Sequence, residues 1–431
     1  MKGGDTLRYY IALASVFVEL LKGDGKIYVK TCTTSNTIYC WEDINFRLAE
    51  KRVKKLQKRI ANAWKLGERD KAMSLQHTLI HSVYAKALAV KTVTSKKGKY
   101  TSGVDGVLWL TPEDKWQAVQ SLNRRGYRPR PLKRIYISKP DGTKRPLSIP
   151  TMKDRTMQTL YKMALEPVAE VTADHNSYGF RPARCTRDAI IKCAEALSTN
   201  PSPEWILEAD IQACFDNISH DWVMKHIPMD PSILKKMLKS SYLHKHRLYP
   251  VEKGLPQGGC LSPVICNMVL DGLEKELYNQ FQSKVQFIRY ADDFIMIGTS
   301  GNELAKMVVP AANAFLSQRG LNLANEKTGI VHIKEGFDFL GWNVYRNQDG
   351  IQIRPSRKNI EAILNKLEKL FSKDTYKSSD ELLKILYPIL AGWVNYHRDI
   401  VGCSLYHIII YDLRRMSKGK PIAEQAVSFF G

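Results

Sequence analysis

The chain has 431 residues, 44% of them hydrophobic, which is enough for two or three domains with buried cores and excludes wholesale disorder. Lysine and arginine total 65 against 43 aspartates and glutamates, a formal net charge of +22. A surface this basic repels itself unless something acidic neutralises it, so the composition points to nucleic acid as a partner.

Residues 1–40 form an unassigned N-terminal extension. Their most apolar run, 9–21, is short for a membrane span and is interrupted by Glu19. Lys22-Gly23-Asp24-Gly25 follows where a signal peptide would place small cleavage residues. The run reads either as a short packed helix or as an imperfect extension, and no membrane role is expected. The cysteines Cys32, Cys40, Cys185, Cys193, Cys214, Cys260, Cys266 and Cys403 form no C-x-x-C pair and have no histidine at zinc-finger spacing. They read as reduced, mostly buried thiols of a cytoplasmic protein.

Residues 41–91 read as a basic helical extension. Val53, Leu56, Ile60 and Trp64 recur three or four apart, which predicts a core-facing stripe. Between them stand Lys51, Arg52, Lys54, Lys55, Lys58 and Arg59, either a solvated face or a set of contacts for RNA phosphates. A break follows at Ser95-Lys96-Lys97-Gly98-Lys99 and Gly103-Val104-Asp105-Gly106.

The pattern then mixes. Strands are predicted over 134–138 and 145–149, joined by an Asp141-Gly142 turn. Helices are predicted over 157–171 and 189–197, and strands over 205–211, 286–290 and 294–297. Such alternation indicates an α+β or α/β body. After Gly341 the pattern is helical again: Ile360, Ile363, Leu364, Leu367, Leu370 and Phe371 make one amphipathic stripe, and 382–396 make another helix.

Three segments carry chemistry. Tyr290-Ala291-Asp292-Asp293 places two carboxylates between two apolar strands, a pattern that alone reads more readily as a solvated turn. A second strand, Leu207-Glu208-Ala209-Asp210-Ile211, ends on another carboxylate. Carboxylates at the ends of neighbouring strands are what two-metal phosphoryl transfer requires, because hard Mg²⁺ ions take oxygen ligands and share them with substrate phosphates. Between these segments lies Pro256-Gln257-Gly258-Gly259, a turn whose glycines allow close backbone approach.

The order Asp210 with Phe215, then Pro256-Gln257-Gly258-Gly259, then Tyr290-Ala291-Asp292-Asp293 resembles the palm of group II intron reverse transcriptases. KRIYISKPDGTKRPLSIP at 133–150 resembles their fingers hairpin, HNSYGFRPAR at 175–184 the next block, and GLNLANEKT at 320–328 and FDFLGW at 337–342 the last two. Gly392-Trp393-Val394-Asn395-Tyr396 resembles their thumb signature.

The resemblance implies an α+β right-hand polymerase, with fingers and palm over 92–347, a helical thumb over 348–400 and a short tail over 401–431. It implies an RNA-directed DNA polymerase that extends a DNA or RNA primer with dNTPs on an RNA template, using two Mg²⁺ ions, with Mn²⁺ as a substitute. Asp210, Asp292 and Asp293 would be the metal ligands, and Lys327 the general acid for departing pyrophosphate. Lys139 and Arg145 would hold the triphosphate, Phe215 would exclude a ribose 2′-OH, and Gln257 and Gly258 would line the nucleotide pocket. Tyr290, Arg181, Gly341 and Trp342 would meet the primer and template. A maturase role on structured intron RNA is implied as well, and no HNH endonuclease is expected after the thumb signature. Two other readings fit the same residues: a domesticated antiviral reverse transcriptase acting on a noncoding RNA, and an RNA-binding splicing cofactor with a vestigial polymerase. The residues themselves leave the oligomeric state open.

Overall fold

The computed structural model describes residues 38–138, 142, 144–372, 379–401 and 405–416. The apolar run at 9–21, the candidate cation Lys139 and the turn residue Asp141 lie outside the described residues.

The helix Phe46–Lys65 forms as its periodicity requires. The Asn45 side chain caps it by accepting from the Leu48 N–H, and Ala49, Val53, Ile60 and Ala63 are buried. The six cations at 51, 52, 54, 55, 58 and 59 are all exposed. The helices Arg69–His81 and Val83–Ser95 follow, and all three pack against the long helix Met152–Thr172. Their apolar side chains join Leu207, Phe294 and Met296 of the central sheet in one continuous core. The expected division at 91/92 therefore falls inside the helix Val83–Ser95, and the helical extension shares its core with the catalytic body.

Three sheets are present among the described residues. The fingers sheet has the order β2-β1-β4-β5, from β1 (Leu132–Ser138), β2 (Lys144–Ile149), β4 (Tyr242–His244) and β5 (Arg247–Tyr249). The palm sheet has the order β6-β7-β3-β8, from β3 (Trp205–Ala209), β6 (Val285–Tyr290), β7 (Asp293–Gly298) and β8 (Gly329–His332). Both of its faces are covered. Leu207, Phe294 and Met296 enter the first core, while Ile206, Ile295 and Ile297 enter a second, with Ile190 and Cys193 of the helix Thr186–Leu197. Alternate residues on each strand thus serve opposite cores, as the period of two demands.

A third sheet, β11-β10-β9, comprises β9 (Phe337–Phe339), β10 (Trp342–Asn347) and β11 (Gly350–Pro355). Because β11 pairs with β10 along its length, the thumb helices begin at Arg357 rather than at 348. Ser356 caps the helix Arg357–Phe371, which packs with Ser379–Val401 around Ile363, Leu367, Leu386, Leu390 and Trp393. Leu413 of the helix Leu405–Met416 enters the same core, so the segment read as a tail contributes a third thumb helix.

Candidate active site

The palm hairpin is a two-residue turn. Tyr290 on β6 pairs with Asp293 on β7, leaving Ala291 and Asp292 at the tip. Ala291 sits at φ 60°, a left-handed conformation that costs a residue with a Cβ. Two neighbours hold it there. Gly179 lies so close that a Cβ on it would stand 2.3 Å from the Ala291 nitrogen. Arg289, fully buried, donates to the Ala291 carbonyl at 3.2 Å and to Asn267 Oδ1 at 3.1 Å, and its other nitrogen pairs with Asp271. Asn267 in turn donates to the Gly179 carbonyl at 2.7 Å. Burial, partly offset by Arg289 and reinforced by Asp174, pushes the Asp271 carboxyl up to about 7.

The third carboxylate arrives by register. Ala209 on β3 is opposite Phe294 on β7, so Asp210, the next residue, comes beside Asp293. Its backbone is fixed because the Ala324 N–H donates to the Asp210 carbonyl at 2.9 Å and Ile211 bridges Leu323. Burial and then the Asp210 charge raise the Asp292 carboxyl. Burial, Asp292 and Asp210 push Asp293 up to about 6. These shifts show three acids crowding one region of negative potential. Lys327 answers part of it: its ammonium pairs with Asp210 Oδ2 at 2.5 Å, and that bond raises the lysine above its ordinary value. Asp210, Asp293 and Lys327 open on a cavity of about 550 Å³ whose far wall carries Phe337, Phe339 and Asn343.

The Pro256-Gln257-Gly258-Gly259 loop joins palm to fingers. Gly258 has φ +112°, and a Cβ there would stand 2.6 Å from the Ser148 carbonyl of β2. The Ser148 N–H donates to the Gln257 carbonyl at 2.7 Å. The Gln257 side chain accepts from Arg145 Nε at 3.1 Å and donates to Asp216 at 3.3 Å. The Leu255 N–H donates to the Phe215 carbonyl at 2.6 Å. Phe215, Gln257, Gly258 and Arg145, distant in sequence, are thereby brought to one wall.

Three other expected contacts are placed differently. The Arg181 guanidinium, 9% exposed, pairs with Glu170 and donates to the Asp174 and Ser177 carbonyls, which makes it a clamp on the Gly179 turn. Trp342 is fully buried and stacks on Tyr396 at 4.5 Å. Gly341, at φ +82°, lies against Asn359, which accepts from Trp393 Nε1 at 2.6 Å. Gly341 and Trp342 therefore build the palm–thumb joint, where aromatic burial uses up the surfaces expected to meet primer and template. Tyr290 is half-buried against the second core. Gly179, Asn267 and Arg289 were missed in the sequence. The one available signal was the charge of Arg289 inside the otherwise uncharged strand Val285–Tyr290, since a buried charge needs a dedicated partner.

Comparison with known proteins bears on the family of the chain. Residues 137–344 match the family described as reverse transcriptase (RNA-dependent DNA polymerase), and residues 41–122 match the N-terminal domain of reverse transcriptase. The group II intron-encoded protein LtrA of Lactococcus lactis is 27% identical over 348 residues, covering 64% of this chain and 57% of LtrA. The two reverse transcriptase matches and this relative support a place in the group II intron reverse transcriptase and maturase family. The reverse transcriptase is also 29% identical to protein YkfC of Escherichia coli over 306 residues, 61% of this chain and 80% of YkfC. Maturase-like protein 1 of Euglena gracilis is 26% identical across 80% of this chain and 74% of its own length. The chain thus spans a little over half of LtrA and most of the other two. A telomerase structure from Candida albicans, in complex with a telomeric RNA fragment, aligns over 70% of this chain and 61% of its own at a TM-score of 0.40 and 14% identity. Among the described residues no helix is long and apolar enough to cross a membrane.

The donor set at the palm suits a hard divalent cation. It is all carboxylate oxygen, and its members raise one another's affinity for a positive charge. Among the described residues no group of three or more His, Cys, Asp or Glu side chains is arranged to hold a metal ion. Mg²⁺ is usually held by one or two carboxylates with substrate phosphates completing the shell, so an open set fits that ion.

Proposed function

We propose that the reverse transcriptase extends a primer 3′-OH with dNTPs on an RNA template, with Asp210, Asp292 and Asp293 holding two Mg²⁺ ions. The observation that carries this reading is the β3–β7 register, which sets Asp210 beside Asp293 with the Lys327 ammonium already on Asp210. When bound, the ions lower the charge on the attacking and leaving oxygens of an in-line displacement. The protein's own groups do the rest. Arg145 presents a planar donor fork for the triphosphate and is oriented by Gln257. Lys139, which lies outside the described residues, is assigned the second phosphate contact. Phe215 places an aromatic ring where a ribose 2′-OH would stand. Lys327, whose ammonium pairs with Asp210, would give a proton to departing pyrophosphate.

Primer extension on an RNA template with Mg²⁺ and dNTPs tests this directly. Asp292→Ala should lower the rate on the order of 10³-fold, since a metal contributes several kcal/mol to the transition state. RNA binding should stay within about twofold, because phosphate contacts dominate it. Extension by the variant at the wild-type rate would remove Asp292 from the site.

A second activity has an observation of its own. The exposed cations of the helix Phe46–Lys65 form a stripe on the N-terminal extension, outside the catalytic wall. A structured intron RNA, bound through its phosphates, is the partner assigned to it, which would make the protein a maturase too.

A further inference from the structure

The fingers sheet has two faces that carry different side chains. Cross-strand partners share a face: Arg145 pairs with Ile137 and Leu147 with Ile135, whereas Arg134 pairs with Ser148 and Tyr136 with Pro146. Tyr242 aligns with Leu132 and pairs with Tyr249, so both tyrosines stand on the Arg134 face. There the Arg134 guanidinium lies over the Tyr242 ring at 3.9 Å. Tyr242 stacks in turn on Tyr249, with centroids 5.1 Å apart and planes 13° from parallel.

This makes three layers of π surface running across the sheet, and the last layer is at its edge. Tyr249 belongs to β5, the edge strand, and is 37% exposed. Beside it the turn between β4 and β5 exposes Lys245 and His246, β5 itself exposes Arg247, and among the described residues no carboxylate pairs with Lys245 or Arg247. An open aromatic stack flanked by free cations is the construction that holds single-stranded nucleic acid: bases continue the stack and the cations take the phosphates. A duplex cannot use it, because its base faces are already covered. The platform also adjoins the site. A cavity of about 290 Å³ is walled by Arg134 and Tyr242 on one side and by Phe215, Asp216 and Gln257 on the other.

We propose that the open end of the Arg134–Tyr242–Tyr249 stack receives the unpaired template RNA upstream of the templating base, one base adding as a fourth layer on Tyr249 while Lys245 and Arg247 hold the adjoining phosphates. This rests on the RNA-templated polymerase reading above. The unpaired RNA that such an enzyme must hold beside its nucleotide pocket is the template not yet copied. The platform guides that strand and keeps it from refolding ahead of synthesis.

The test is binding, not turnover. Dissociation constants are measured by fluorescence anisotropy for two RNA–DNA primer–templates, one with a template overhang of about ten nucleotides and one with about one, matched to the footprint of a stacking module. The wild type should prefer the long overhang by roughly tenfold, the range of a single stacked base. Tyr249→Ala should abolish that preference and leave the short-overhang complex unchanged, Tyr249→Phe should keep it, and melting temperatures should match. A 4-thiouridine in the overhang should crosslink to the β4–β5 turn in the wild type. Equal loss on both substrates, no loss on either, or a stronger effect on a hairpin RNA than on the overhang would each overturn the proposal. If primer extension fails while overhang preference tracks Tyr249, the polymerase reading falls and the platform stands. Normal extension with no overhang preference has the opposite meaning.

Discussion

Two antiparallel hairpins carry candidate site residues, and they are supported in opposite ways. The palm hairpin β6–β7 is buried nearly end to end, with a core on each face and the Arg289 network beneath its tip. The fingers hairpin β1–β2 is buried only at its root, at Leu132 and at Ser148 and Ile149, and its strands grow exposed toward the turn. Carboxylates that share metal ions must be fixed to within a fraction of an ångström, so their hairpin is braced on all sides. A cation that is to meet an arriving triphosphate would need reach more than rigidity, and the Gln257 side chain ties Arg145 to Asp216.

The comparison can be broken most severely under the palm tip. Arg289→Met would leave Asp271 buried without its partner, which should cost about 3–5 kcal/mol of stability, read from chemical denaturation. A loss below about 1 kcal/mol would show that the network does not brace the hairpin. Gly179→Ala is the finer probe. The added Cβ would stand 2.3 Å from the Ala291 nitrogen and must push the turn aside. Turnover should drop roughly 10²-fold with the KM for dNTP little changed, as expected when reacting groups shift by about an ångström.

On the fingers side the effects should be milder. Arg145→Ala should raise the KM for dNTP about tenfold with a smaller change in turnover, because a charge-assisted bond worth about 1.5 kcal/mol is lost from an exposed side chain. A kcat loss as deep as that of Gly179→Ala would mean that the two hairpins are equally rigid elements of one site.

The smallest effect belongs to the palm–thumb joint. His397 is buried among Trp342, Trp393 and Tyr396, with Asn359 Oδ1 at 3.2 Å, and burial pushes it down to about 4. The unfolded chain takes up the proton first as pH falls below about 6.5. The neutral imidazole therefore contributes stability that is present above pH 6.5 and is lost as pH falls toward 4. His397→Gln should flatten the dependence of melting temperature on pH between about 7 and 5, by a few degrees at most for a chain of this size. Identical slopes for both proteins would exclude His397 as their source.

Much of this was legible in the residues. The period of three to four in 46–65 located the first helix and its exposed cations, because burial of one stripe is a local property of the chain. Asp210, Asp292 and Asp293 were legible because each ends or begins an apolar strand, and their order with the Pro256-Gln257-Gly258-Gly259 turn resembles one family. Arg181 and Trp342 were read as contacts with nucleic acid and turned out to be buried, because a motif gives a residue's place in the chain and not the direction its side chain takes. The extension at 41–91 was read as separate from the body, since a shared core leaves no mark on periodicity.

The sequence by itself therefore determined the amphipathic first helix, the strands of the two hairpins, the basic composition and which carboxylates are candidates for the site, all of which follow from local pattern and residue chemistry. Only the tertiary structure decided that Asp210 stands beside Asp293, that Gln257 links Arg145 to Asp216, and that Gly179 and Arg289 brace the Ala291 turn. Each of these depends on strand register or on contact between segments far apart in the chain. Such contacts are fixed by the packing of whole elements, which no short stretch of residues encodes.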